Sequence, residues 1–125
     1  MCKNLLLIAL LLSTTNTFAE ISSCNVGGSA VFTKIDLNAE TRKAAITDQF
    51  EHKVDGRITL IREHGKGASE FNVSFEYKMN NTPTHIDLII VPVNEDTYKV
   101  GVAGYIKKNG KNYLDIADND EAMCF

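Results

Sequence analysis

From Glu70 to Met79 the chain alternates without a break. Phe71, Val73, Phe75, Tyr77 and Met79 are apolar, while Glu70, Asn72, Ser74, Glu76 and Lys78 are polar. Successive side chains on a strand point to opposite faces, so this stretch predicts a strand with one dry face and one wet face. A helix would scatter the same apolar residues around its axis. Looser versions of the pattern run along the rest of the chain. Ala30 to Leu37 reads as a first strand, Lys43 to Val54 as a second and Arg57 to Arg62 as a third. In the second, Asp48 and His52 share the phase of Ala44, Ile46, Phe50 and Val54. His52 is therefore expected to be partly buried and hydrogen-bonded in the core. Thr84 to Val93 begins with Ile86, Leu88 and Ile90 set against His85 and Asp87, then turns apolar on both faces through Ile89, Val91 and Val93. Such a strand is covered on both sides or meets a partner. Tyr98, Val100, Val102 and Ile106 share one face of the next strand. Gly101 and Gly104 interrupt it, which implies a bend, a bulge or a close backbone approach. Lys111 to Ala117 runs back, and Asp118 to Phe125 reads as a solvated tail.

The punctuation between these stretches is short and polar. Asp55-Gly56 and Asn109-Gly110 both favour tight type I′ hairpins. His64-Gly65-Lys66-Gly67 and Asn80-Asn81-Thr82-Pro83 read as loops. Pro92 has no N–H to donate and belongs at an edge or bulge. Parallel neighbours need crossovers of about a dozen residues or more, so these connections imply antiparallel pairing. The fold predicted is all-β: an antiparallel meander of about seven strands, closed as a small barrel or sandwich so that the dry face is buried.

The front of the chain has a different pattern. Lys3 precedes the apolar run Leu5 to Leu12, and a polar stretch ends at Thr17-Phe18-Ala19. Residues 1–19 thus read as a secretory signal peptide, leaving 20–125 as one exported β-domain. The apolar run is shorter than the roughly 20 residues of a membrane-spanning helix, so no membrane span is expected after signal removal. The expected location is secreted or periplasmic. Cys2 falls in the signal, which leaves Cys24 and Cys124 near the two ends of the domain. In an oxidising compartment they predict one disulfide that closes nearly the whole domain into a loop. The formal net charge is −3, and Lys3 leaves with the signal. An acidic domain argues against nucleic acid as a partner.

No stretch carries a catalytic, metal or cofactor motif, and no cofactor is expected. His52, His64 and His85 are not at metal-ligand spacing. His64 reads as a solvated loop histidine, and His85 with Asp87 would share the wet face of one strand. Asp115, Asp118, Asp120 and Glu121 form the densest acidic group but lack the glycine and later glutamate of a calcium loop. Asn72-Val73-Ser74 and Asn80-Asn81-Thr82 match the glycosylation sequon. Tyr105 and Tyr113 are out of phase with the dry faces of their strands and nearly equidistant from the Asn109-Gly110 turn. They are expected to be exposed cross-strand neighbours, surrounded by Lys99, Lys107, Lys108 and Lys111. Tyrosine with positive charge is a composition found in protein-binding patches.

Known families of small exported β-proteins leave this chain unplaced. Membrane-bound and periplasmic lysozyme inhibitors share its size and style, but their cysteine and tyrosine motif is missing. A lipocalin places Gly-x-Trp near its first strand, and this chain has no Trp. The expectation is an exported β-protein, not an enzyme, that binds another macromolecule as an inhibitor, immunity factor or assembly accessory does. The alternative is a calycin-like barrel carrying a small apolar ligand. Interior Ala44, Ala103 and Gly104 would favour the carrier, and an interior filled by Phe71, Phe75 and Tyr77 would oppose it.

Overall fold

The computed structural model describes residues 21–27, 30–79 and 81–125; the signal-peptide reading and Asn80 lie outside them. The chain forms a closed barrel in which each strand pairs antiparallel with the next and the last returns to the first. In order these are β1 (Ser23–Val26), β2 (Phe32–Asn38), β3 (Lys43–Asp48), β4 (Lys53–Glu63), β5 (Ser69–Met79), β6 (Thr82–Pro92), β7 (Thr97–Lys108) and β8 (Lys111–Cys124). A single 3-10 turn, Gly65–Gly67, joins β4 to β5. Among the described residues no helix is long and apolar enough to cross a membrane.

The alternation in β5 does what its pattern requires. Phe71, Val73 and Phe75 point inward and are buried, while Glu76 faces solvent. Ile35, Ile46, Ile86, Leu88 and Ile90 complete a fully buried centre. Phe32 packs edge-on against Phe75 at 5.2 Å and against Tyr77 at 5.3 Å. Fully burying one such side chain contributes about 1.5–3 kcal/mol, so this centre drives closure. The void left beside it, lined by Val26, Phe32, Ile86 and Val100 among others, is only about 20 Å³. That is room for roughly one water.

The strands are unequal, and this shapes the molecule. β4, β5 and β6 each have 11 residues, β7 has 12 and β8 has 14, whereas β1, β2 and β3 have 4, 7 and 6. A long wall therefore rises past a short one. The β7–β8 ladder runs from Thr97 opposite Met123 to Lys108 opposite Lys111. The seam that closes the barrel is brief: Cys24, Asn25 and Val26 of β1 face Cys124, Met123 and Ala122 of β8. The Cys24–Cys124 disulfide joins an in-register pair, with Cα atoms 4.0 Å apart and 100 residues of sequence between them. In the chain-entropy model a loop of that length stabilises by about 4 to 5 kcal/mol.

Several expectations are corrected. The predicted second strand is two strands, β3 and β4, parted by a turn at residues 49–52. The Asp48 carboxylate makes that turn: its Oδ1 accepts the N–H groups of Phe50 (2.8 Å) and His52 (2.9 Å). Phe50 and His52 are consequently exposed and not in the core. Asp55-Gly56 is no hairpin but lies inside β4. Gly56 faces inward, where a Cβ would meet Ile46 Cδ1 at 2.7 Å and the Ser74 carbonyl at 3.2 Å, so only glycine lets the strands approach. β1 was not predicted, and the supposed tail after Asp118 belongs to β8. The Asn109-Gly110 hairpin is as predicted, with φ of 53° and 78°.

Candidate functional site

The antiparallel registers of the long wall set its outward side chains in rows. One row runs Leu60, Asn72, Ile89, Gly101, Asn119 across β4 to β8; the next runs Ser74, Asp87, Ala103, Ala117. A third runs Glu76, His85, Tyr105 and Leu114. Gly101, Ala103 and Ala117 are small, so the outer surface sinks between taller neighbours. The result is an open recess of about 790 Å³, walled by Ile89 and Tyr105 on its apolar sides and by Asn72, Asp87 and Asn119 on its polar ones. Ala103, weighed above as an interior residue, forms part of this outer floor. The Asn119 amide lies close over Gly101, where an added Cβ would stand 3.4 Å from its Oδ1. Ile89 remains 43% exposed, so the second apolar face of β6, expected to be covered or to meet a partner, is not covered by the described residues. The side-chain oxygen of Asn72 is buried on the recess wall and accepts no hydrogen bond among the described residues. An orphaned buried acceptor costs free energy until something donates to it. Asn72 is also one of the two sequon asparagines.

Beside the recess lies a charged network. Ser74 donates to Asp87 Oδ1 at 2.6 Å, and His85 Nε2 lies 2.9 Å from the same oxygen. His85 Nδ1 lies 2.9 Å from Glu76 Oε1. The Glu76 carboxylate raises the His85 pKa above its ordinary value; burial opposes this, and Asp87 adds to it. The imidazolium so favoured donates from both nitrogens and keeps no lone pair for a proton. The Ser74 hydroxyl is committed to Asp87, not to His85. A nucleophile needs its base within hydrogen-bond reach, and this arrangement lacks that contact. The cluster is a cross-strand brace on the wet face. His64, the other candidate, lies 3.0 Å from Glu70 on the exposed rim.

The tyrosines are both exposed to some degree but do not form one patch. A register shift after Gly104 pairs Tyr105 with Leu114 and Ile106 with Tyr113. Opposed residues share a face and successive ones alternate, so Tyr105 and Tyr113 project from opposite faces of the hairpin. Tyr105 borders the recess; Tyr113 does not. Lys107, Lys108 and Lys111 gather at the hairpin tip, while Lys99 sits far along β7 opposite Glu121. The strand shift could not be read from spacing to the turn.

No family model, curated protein or solved structure matches this chain. Function must therefore be argued from the site. One more feature bears on it. Asp118 and Asp120 oppose Val102 and Val100 and so face the inner side of β8, next to the small void. Burial raises the Asp120 pKa above its ordinary value, and the Asp118 charge adds to the rise. Among the described residues, neither carboxylate has an ion-pair partner.

Proposed function

We propose that this is an exported β-protein that works by binding another protein through the outer surface of its long wall. The observation that carries this reading is where the space lies. Among the described residues the barrel interior is packed with side chains and the void beside Phe32 and Ile86 is about 20 Å³, while the outer face offers a recess of about 790 Å³. A carrier of small apolar ligands needs the reverse. Phe71, Phe75 and Tyr77 occupy the interior where such a ligand would sit. The recess combines two apolar walls with polar acceptors at Asn72, Asp87 and Asn119, a mixture that suits a polypeptide segment. Export is supported by the signal-like front of the chain and by the disulfide, which oxidising compartments preserve.

The test is capture from extracellular or periplasmic extract with the oxidised domain as bait, beside an Ala103→Arg bait that fills the recess floor. The reading expects a stoichiometric protein held by the first and lost from the second. Native mass spectrometry of the same preparation gives the contrary result if the domain retains a small apolar molecule and captures no protein.

A further inference from the structure

The first part of β8 has one edge without a partner strand among the described residues. Its ladder with β7 extends the length of the hairpin, but on its other side pairing stops where the Gly27 N–H donates to the Glu121 carbonyl at 3.0 Å. From residue 111 to residue 120 no strand pairs with that edge among the described residues. Exposed edges are templates for another strand, and proteins usually blunt them with short length, proline, lysine, bulges or inward-turned charges. This one has no proline and carries its single lysine, Lys111, at the tip. A register shift after Gly104 interrupts its ladder, however, and Asp118 and Asp120 turn inward, so it is closed to an acidic strand and admits a basic one.

What the edge presents is chemically one-sided. From Ala117 to Asp120 the edge carries two carboxylates, Asp118 and Asp120, and no cation. Asp118 and Asp120 are two positions apart and therefore on one face. They look onto a narrow opening bordered by Val26, Val31 and Val102. Two copies of this edge laid together would oppose like charge, which disfavours self-pairing.

We propose that the β8 edge receives an extended segment of the partner protein as an added strand, with lysine or arginine at alternate positions facing Asp118 and Asp120. This rests on the protein-binding reading above and names the partner's chemistry. In the free domain the Asn119 N–H of this edge donates to Asp118 Oδ1 at 2.8 Å. A carbonyl of the added strand takes that N–H as a basic head takes the carboxylate, and the side-chain pockets supply selection. Residues directly opposite on neighbouring strands stand about 5 Å apart at Cβ, close enough for a basic head to reach each carboxylate. The apolar stems of those side chains lie along Val26 and Val31, and the heads stay at the opening. The alternate side chains of the segment point the other way, beside Ala117 and Asn119, and enter the recess. One strand thus occupies both features.

Short capped peptides alternating lysine with valine, and glutamate with valine, test this by calorimetric titration and by amide hydrogen exchange of the intact oxidised domain. The lysine peptide should bind and slow exchange within residues 111–120, and the glutamate peptide should not. Methylating alternate peptide amides should abolish binding in one of the two phases. Asp118→Asn with Asp120→Asn should weaken binding about tenfold, as loss of desolvated charge pairing does, with the melting temperature showing that the barrel is kept. Equal binding of both peptides, indifference to methylation in both phases, or protection outside β8 would overturn the proposal. So would concentration-dependent dimerisation protecting the same residues without peptide, which would assign the edge to a second copy. Capture of the natural protein partner undiminished by the double substitution would also overturn it, while leaving the protein-binding reading intact.

Discussion

This barrel turns carboxylates inward at two places and treats them in opposite ways. At the β3–β4 end, Asp48 is 1% exposed, yet its pKa lies below the ordinary value. Burial works against ionisation there. The Tyr77 hydroxyl at 2.7 Å and the N–H groups of His52 and Phe50 outweigh it. Tyr77, buried and bonded to a carboxylate, has its own pKa pushed up to about 12. At the β8 edge, Asp120 is pushed the other way, since burial there meets a like charge and no donor partner. Two inward carboxylates are therefore not equivalent evidence of anything. One has been satisfied by folding, and the other has no donor among the described residues. The first braces the β3–β4 turn, and the second lies where we propose that a basic strand binds.

The largest effect should come from the seam between the two regions. Cys24→Ser with Cys124→Ser should cost about 4 to 5 kcal/mol in a thermal or denaturant melt. Hydrogen exchange in the same variant should rise in β1 and β8 ahead of β3, because three residue pairs and the flanking Phe125 and Glu121 hydrogen bonds are what then hold the seam among the described residues. Uniform loss would mean that the Asp48 end depends on the seam as much as β8 does.

Asp48→Ala comes next. It strands the Tyr77 hydroxyl and two turn N–H groups, and should cost about 3 kcal/mol in a urea melt. Its acid behaviour sharpens the contrast. A carboxylate with a lowered folded pKa contributes stability above its unfolded value, and that stability is lost as pH falls through the folded pKa. Asp120, raised, contributes below its unfolded value and loses that contribution as pH rises through its folded pKa. Asp48→Asn should therefore flatten the loss of stability in acid, and Asp120→Asn should not. His85, also raised, contributes below its unfolded value and loses this as pH climbs through its folded pKa, so His85→Gln should remove a decline near and above neutrality.

These contrasts mark what was legible in the residues alone. Regular alternation made β5 and the inner face of β6 plain, and a pair of cysteines 100 residues apart announced the closure. Asn109-Gly110 supplied its hairpin because both residues need positive φ there. The β3–β4 turn was invisible because a side chain makes it: Asp48 bends a stretch that has neither glycine nor proline. Asp55-Gly56 misled because its glycine answers a packing demand from Ile46 and not a turn. The recess was half visible. Gly101 was an evident irregularity, but only the register with Ala103 and Ala117 turns small residues into a floor. The tyrosine pair failed as one patch for a similar reason, since a one-residue shift reverses a face.

Smaller effects separate the faces of the hairpin. Tyr105→Ala should weaken partner capture about tenfold, the loss of one aromatic anchor, while Tyr113→Ala on the other face should leave it unchanged. Equal losses would restore a shared tyrosine patch. Least of all, Asp118→Asn relieves the repulsion on the half-buried Asp120 and should raise stability slightly, by no more than about 0.5 kcal/mol because Asp118 itself is exposed. A fall would mean that the Asn119 N–H bond to Asp118 Oδ1 outweighs the repulsion.

The most direct measurement follows the side-chain carboxyl carbons of Asp48 and Asp120 by NMR through an acid titration, with and without the lysine–valine peptide. Asp48 should titrate below the ordinary aspartate range in both. Asp120 should titrate above it in the free domain and fall below it when the peptide is bound. An Asp120 that titrates identically in the two states would contradict the claim that this carboxylate awaits a basic strand.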